Sequence, residues 1–237
     1  MADYGFRVIF KEAINFLRSK NVVPIEKYAN IDDKFKSRAF TVSGYSSLEV
    51  LQEFLNKLNE ACEKGKTKEE FRNEMNEFLT ENGYSSEKRW HLDNIFQTNM
   101  QTAFQVGHYE SMTEEKTMNL RPYWQYVTAE DGHVRDTHMA MNRKVFRADD
   151  PIWDVWYPPN GYGCRCMVIS LSENQLKRRG LKVDKEVPYD IDRGTGEIIP
   201  IFPDKGFSTN QAKKEWKPDM RCFDKNIREI YYSHNKK

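Results

Sequence analysis

Residues 122–128 read PYWQYVT, a short aromatic run behind a proline, and the reading of that run decides the fold. Aromatic and β-branched residues in so short a stretch, bounded by proline, point to a strand. Upstream of it the apolar pattern has helical period. Downstream it breaks into short runs, with Arg143–Arg147 (RKVFR) and Cys164–Leu171 (CRCMVISL) as further strand candidates. Asp190–Ile201, with Arg193-Gly194-Thr195-Gly196 in its middle, has the form of a hairpin. The fold class expected is α+β. A helical bundle is expected over residues 1–118, a small α+β region with short strands over 119–210, and a mildly basic tail over 211–237.

Working back from Pro122, a long helix is predicted from Glu87 to Met112, carrying Trp90, Ile95, Phe96, Met100, Ala103, Phe104 and Gly107. Before it, Thr67-Lys68-Glu69-Glu70 has the spacing of a capping box, with Phe71, Met75, Phe78 and Leu79 as the buried face and Gly83 as the stop. Ser46-Ser47-Leu48-Glu49 carries the same signature, followed by the stripe Leu51, Phe54, Leu55, Leu58 and Cys62 and then Gly65. The first helix is expected from Phe6 to Leu17, on the apolar positions Phe6, Ile9, Phe10, Ala13, Phe16 and Leu17, with Pro24 beyond it. Its charges at Lys11, Glu12 and Arg18 make it amphipathic and unlike a secretory signal.

Composition narrows the class. Lys and Arg total 37 against 36 Asp and Glu, so the net charge is +1, which excludes a strongly basic nucleic-acid domain and an acidic tail protein. Charged residues reach 31%, but aromatics reach 13%, and aromatics are what a disordered chain lacks. No stretch has the apolar length that a membrane-spanning helix needs. Four cysteines in 237 residues are too few for a disulfide scaffold and fit a reducing compartment. Cys62 falls on a helical core position, and Cys222 lies near the C-terminus.

The remaining pair, Cys164 and Cys166, follows Pro158-Pro159-Asn160-Gly161-Tyr162-Gly163, a stiff and sharply turned approach. In a strand, residues two apart share a face, so the two thiols would point together and Arg165 away. Between the first two strand candidates lies TAEDGHVRDTHMAMN. If Thr128 caps a helix there, Asp131, Arg135, His138 and Asn142 share one face. Two thiols and one imidazole are ligands of the kind that suit zinc. Asp131, His133 or water would fill the fourth position. The same residues also fit two packed thiols, an oxidisable pair, or a Cys–His nucleophile, and spacing alone leaves these open.

With those residues in view, the chain resembles the MuF-type phage head morphogenesis family, the minor head proteins of tailed phages. The segments that carry the resemblance run in order from FKEAINFLRSKNVVP through NIFQTNMQTAFQVGHYESM to YWQYVTAEDGHVRDTHMAMNRKVF, DDPIWDVWYPPNGYGCRCMVISL and FPDKGFSTN. Asn142-Arg143 departs from it, standing where members often have a glycine, as does the short Lys-rich tail. The resemblance implies a low-copy component of the virion head, assembled in the host cytoplasm and associated with the portal region. It further implies a part in capsid assembly, DNA packaging or DNA passage, with the portal protein and other head proteins as partners. It groups Asp131, His138, Cys164 and Cys166 into one cluster, with Arg135 and Asn142 as supports. Neither a membrane nor a small-molecule substrate is expected.

From Lys177 onward the chain holds 15 Lys and Arg against 10 Asp and Glu, leaving 22 and 26 upstream. The basic third makes DNA a candidate partner, through Lys177, Arg178, Arg179, Lys213 and Lys214. The competing function is a zinc-dependent hydrolase or nuclease, with Asp131 or His133 as base and Arg135 stabilising developing negative charge. Against it, the chain has no H-E-x-x-H motif and no P-loop.

Overall fold

The computed structural model describes residues 11–213 except 29, 32–35, 192, 193 and 195. Phe6, Ile9, Phe10, Arg193, Thr195, Lys214, Cys222 and the tail beyond residue 213 lie outside the described residues. The fold is α+β, as expected.

Helix α1 (Lys11–Arg18) buries Ala13, Ile14, Phe16 and Leu17. A two-residue parallel pairing of β1 (Asn21–Val22) with β2 (Ala39–Phe40) follows, with the short α2 (Ile25–Tyr28) between them. Helix α3 (Leu48–Lys64) starts where the Ser47 hydroxyl accepts the Val50 amide. Only that half of the expected capping box forms, because Ser47 and not Ser46 is the cap, which moves Glu49 out of the reciprocal position. At the other end Gly65 adopts φ 67°, the left-handed conformation that glycine takes without strain. Helix α4 (Lys68–Glu81) has the full box: Thr67 accepts the Glu70 amide while Glu70 accepts the Thr67 amide at 2.6 Å.

Helix α5 (Arg89–Thr113) closes this part of the molecule. Its Leu92 and Ile95 join Leu51, Phe54, Leu58, Phe71, Met75 and Leu79 in one core. Each such side chain, fully buried, contributes about 1.5–3 kcal/mol of hydrophobic stabilisation. The half-buried Cys62 packs at a second cluster with Ala13, Phe16 and Ala103, where burial pushes its thiol pKa up.

After α6 (Glu115–Leu120) comes a three-stranded antiparallel sheet in the order β4-β3-β5, with β3 (Tyr123–Val127) central, β4 (Val145–Arg147) and β5 (Met167–Leu171). Alternation sorts its two faces. Trp124, Tyr126, Phe146 and Val168 face a core shared with Trp156 and Tyr157, and with Trp153 of α8 (Trp153–Trp156). Val145 and Leu171 face the other way, onto Leu176 of α9 (Glu173–Arg178). The expected hairpin forms as β6 (Tyr189–Ile191) against β7 (Ile198–Pro200).

Both outer edges of the three-stranded sheet are closed by side chains. On β5, Gln105 donates to Cys166 O at 2.9 Å, His108 to Val168 O at 2.8 Å and Arg121 Nε to Ser170 O at 3.1 Å. On β4, the Asp184 carboxylate accepts the Val145 amide at 2.9 Å, while the Asp184 amide donates to Val145 O at 2.7 Å. Side chains laid along an edge in this way hinder pairing by a foreign strand.

Candidate metal centre

His138 stands on α7 (Asp136–Met141), a helix of six residues and much shorter than the face expected from Thr128 to Asn142. The preceding residues form turns instead. Thr128 Oγ1 accepts the Glu130 amide at 3.3 Å, and Asp131 Oδ1 accepts the His133 amide at 3.1 Å. Such short side-chain contacts to the backbone compete with helix formation. Asp131 and Arg135 therefore share no helical face. Asp131 makes a two-pronged ion pair with Arg165, at 2.6 and 2.7 Å, and Arg165 holds its carboxyl down at about 2. Arg135 pairs with Asp204 at 3.1 Å and donates to Tyr162 O at 2.7 Å.

The two cysteines also differ from expectation in one respect. They sit in the turn before β5, which begins at Met167, and not within the strand. Their thiols nevertheless converge, because the turn is fixed at several points. Cys164 N donates to Gly161 O at 3.2 Å, and Gly163 takes φ 65°. At Gly161 any Cβ would overlap the Asp204 carboxylate, so the loop can approach that acid only with glycine there. Helix α5 then holds the end of the turn through Gln105 on Cys166 O.

The result brings three of the four predicted ligands together. His138 Nδ1 lies 3.6 Å from Cys166 Sγ and 3.8 Å from Cys164 Sγ, and the three ligand atoms lie within 4.8 Å of one another. All three residues are buried, His138 to 2% exposure. The imidazole Nε2 has no hydrogen-bond partner among the described residues. The thiols are unequal. Hydrogen bonding from Cys166, and then from His138 and the Asn160 and Cys166 amides, draws the Cys164 pKa down against the effect of burial. The sulfur of Cys164 and burial push that of Cys166 up. Two sulfurs and an imidazole form a donor set suited to a soft divalent cation.

Asp131 is not in the cluster. Asn142 ends α7, accepting the Thr128 amide at 3.0 Å and donating to Glu130 at 2.7 Å, so it orders the preceding loop. His133 and Arg135 line a small pocket against the cluster, together with Ala129, Val134, Gly163 and Arg165. It has room for about one water-sized body.

Sequence reasoning missed Tyr126, Asn160 and Trp156. Tyr126 donates its hydroxyl to Asn160 Oδ1 at 2.9 Å behind the cysteines, and burial, followed by the two sulfurs, raises its pKa. Asn160 is fully buried, although asparagine between proline and glycine reads as a turn residue. The Trp156 ring meets the His138 ring edge-on at 6.2 Å. Gln105 was detectable, as a polar residue in the buried phase of α5. Of the cations proposed for DNA, Lys177 pairs with Glu173 at 2.8 Å and Lys213 pairs with Asp154. Arg178 and Arg179 are exposed with no carboxylate partner among the described residues.

Residues 52–169 match the model of the phage Mu protein F like family, a span that runs from α3 through both cysteines into β5. The chain belongs to the Mu F-like family. Protein F of Escherichia phage Mu, whose name refers to capsid assembly, is 31% identical over 94% of this chain and 58% of its own length. The Mu-like prophage FluMu F protein of Haemophilus influenzae is 35% identical over 69% of this chain and 44% of its own. This Mu F-like chain thus spans about half the length of the curated relatives it matches. No solved structure matches it.

Proposed function

We propose that this chain is a minor head protein of a tailed phage or prophage, acting in capsid morphogenesis at the portal region. The observation that carries the reading is the correspondence of 94% of the chain with a Mu protein named for capsid assembly. The structure is compatible with a scaffolding part. Its buried polar groups serve to hold loops and sheet edges, and no helix of the described residues is long and apolar enough to cross a membrane. A hydrolase would need a free base and a free cation at the cluster. Among the candidates Asp131 is held by Arg165, and Arg135 by Asp204 and the Tyr162 carbonyl, which leaves His133 at the pocket as the base with no cation free to assist it.

The test is genetic and physical together. Deleting the coding sequence from the phage or prophage that carries it should abolish filled heads, as counted by electron microscopy, while tails still form. Co-sedimentation with the portal protein should then be measured at several salt concentrations. Normal heads from the deletion would refute the assembly role. Filled heads lost without portal co-sedimentation would remove the portal from the reading.

A further inference from the structure

We propose that His138, Cys164 and Cys166 bind one thiophilic divalent cation of the zinc class, with the fourth coordination position turned to the pocket lined by His133 and Arg135. The distances carry the argument. Ligands on a tetrahedral zinc, with bonds of about 2.1 Å to nitrogen and 2.3 Å to sulfur, stand about 3.6 Å apart from nitrogen to sulfur. The structure holds His138 Nδ1 at 3.6 and 3.8 Å from the two sulfurs. These lengths are ordinary for contacts to sulfur, and they are also the edges of a metal tetrahedron.

An oxidised pair leaves the imidazole unexplained. Its Nδ1 faces the two sulfurs. A disulfide between the cysteines would leave a buried ring with no strong polar contact, which is costly. Two thiolates and a neutral imidazole around a divalent ion balance their charge internally, so the cluster can stay buried. The three ligands come from two segments, α7 and the turn before β5, which the ion would tie together. Nothing in this depends on a role in the phage head.

The full chain, purified under reducing conditions without chelator, should carry one zinc per molecule by elemental analysis. Cobalt(II) should replace it with thiolate charge-transfer absorption and tetrahedral visible bands. His138→Ala, Cys164→Ser and Cys166→Ser should each weaken metal binding roughly tenfold or more. To separate loss of metal from loss of fold, His138→Cys should keep stoichiometric metal and add thiolate character to the cobalt spectrum. Cys62→Ser and Cys222→Ser should leave the stoichiometry unchanged. Wild-type protein that holds no zinc and gives no cobalt–thiolate band overturns the proposal, as does a Cys164–Cys166 disulfide in the reduced preparation. Metal lost from Cys222→Ser overturns the pocket-facing fourth position.

Discussion

Around Phe71 the chain sets Leu51, Phe54, Leu58, Met75 and Leu79 against one another, whereas around Tyr126 it buries an amide, an imidazole and two thiols beneath tryptophans. The first arrangement needs only volume and period, so it tolerates conservative exchange. The second needs each donor matched to a particular acceptor, because an unmatched polar group is expensive in a dry interior. Reporters fall unevenly between the two. Trp124, Trp153 and Trp156 are all in the sheet core, while Trp90 is 66% exposed on α5. Among the described residues, tryptophan fluorescence therefore reports mainly on the sheet region, with Trp216 outside them, and far-UV circular dichroism mostly on the helices.

The largest expected effect is on the helical side. Phe71→Ala should cost about 3–5 kcal/mol by urea denaturation. Because α5 contributes to both cores, fluorescence and dichroism should shift together. A fluorescence midpoint that stays put would mean that the two regions unfold independently. On the sheet side, Asp184→Ala should cost about 1–3 kcal/mol by leaving the Val145 amide unpaired at the edge. A loss below 0.5 kcal/mol, roughly the level of an ordinary surface change, would show that this edge needs no side-chain closure.

Thr67→Ala, which removes the capping box of α4, should cost about 1 kcal/mol in the same denaturation experiment. The smallest effect concerns acid. The Asp131 carboxyl is lowered to about 2 by Arg165 and the His133 amide. A group depressed on folding adds stability above its unfolded value, about 3.9, and loses it as pH falls toward the folded one. Thermal midpoints of wild type and Asp131→Asn should thus differ slightly at about pH 5 and converge near pH 2. Equal midpoints at both would show that the exposed pair with Arg165 contributes nothing.

The same contrast explains what could be read in advance. Helices α3 and α4 were legible because period and caps agree with one another, and α5 was legible from its period alone. The strands and the hairpin were legible from short aromatic and β-branched runs bounded by turns. The helix from Thr128 was misread because Thr128 and Asp131 carry side chains that bind the nearby backbone, and i, i+4 spacing does not record that competition. Placing Asp131 among the ligands followed from the same error. His138, Cys164 and Cys166 were legible as chemistry, but their supports were not. Asn160 and Tyr126 meet across 34 residues of sequence, and nothing local in either marks the contact.

Helix α5 has one more consequence, and it concerns phase. Leu92 and Ile95 are fixed in the helical core, and Gln105 and His108 on the edge of β5, all on one rigid rod. Each residue on that rod adds about 100° of rotation and 1.5 Å of rise. A single residue inserted between Ile95 and Gln105 would swing the glutamine away from Cys166 O, whatever its own chemistry. Seven residues would restore the facing to within about 20° while pushing the sheet region roughly 10 Å along the axis. The relative orientation of the two regions is in this sense written as a residue count.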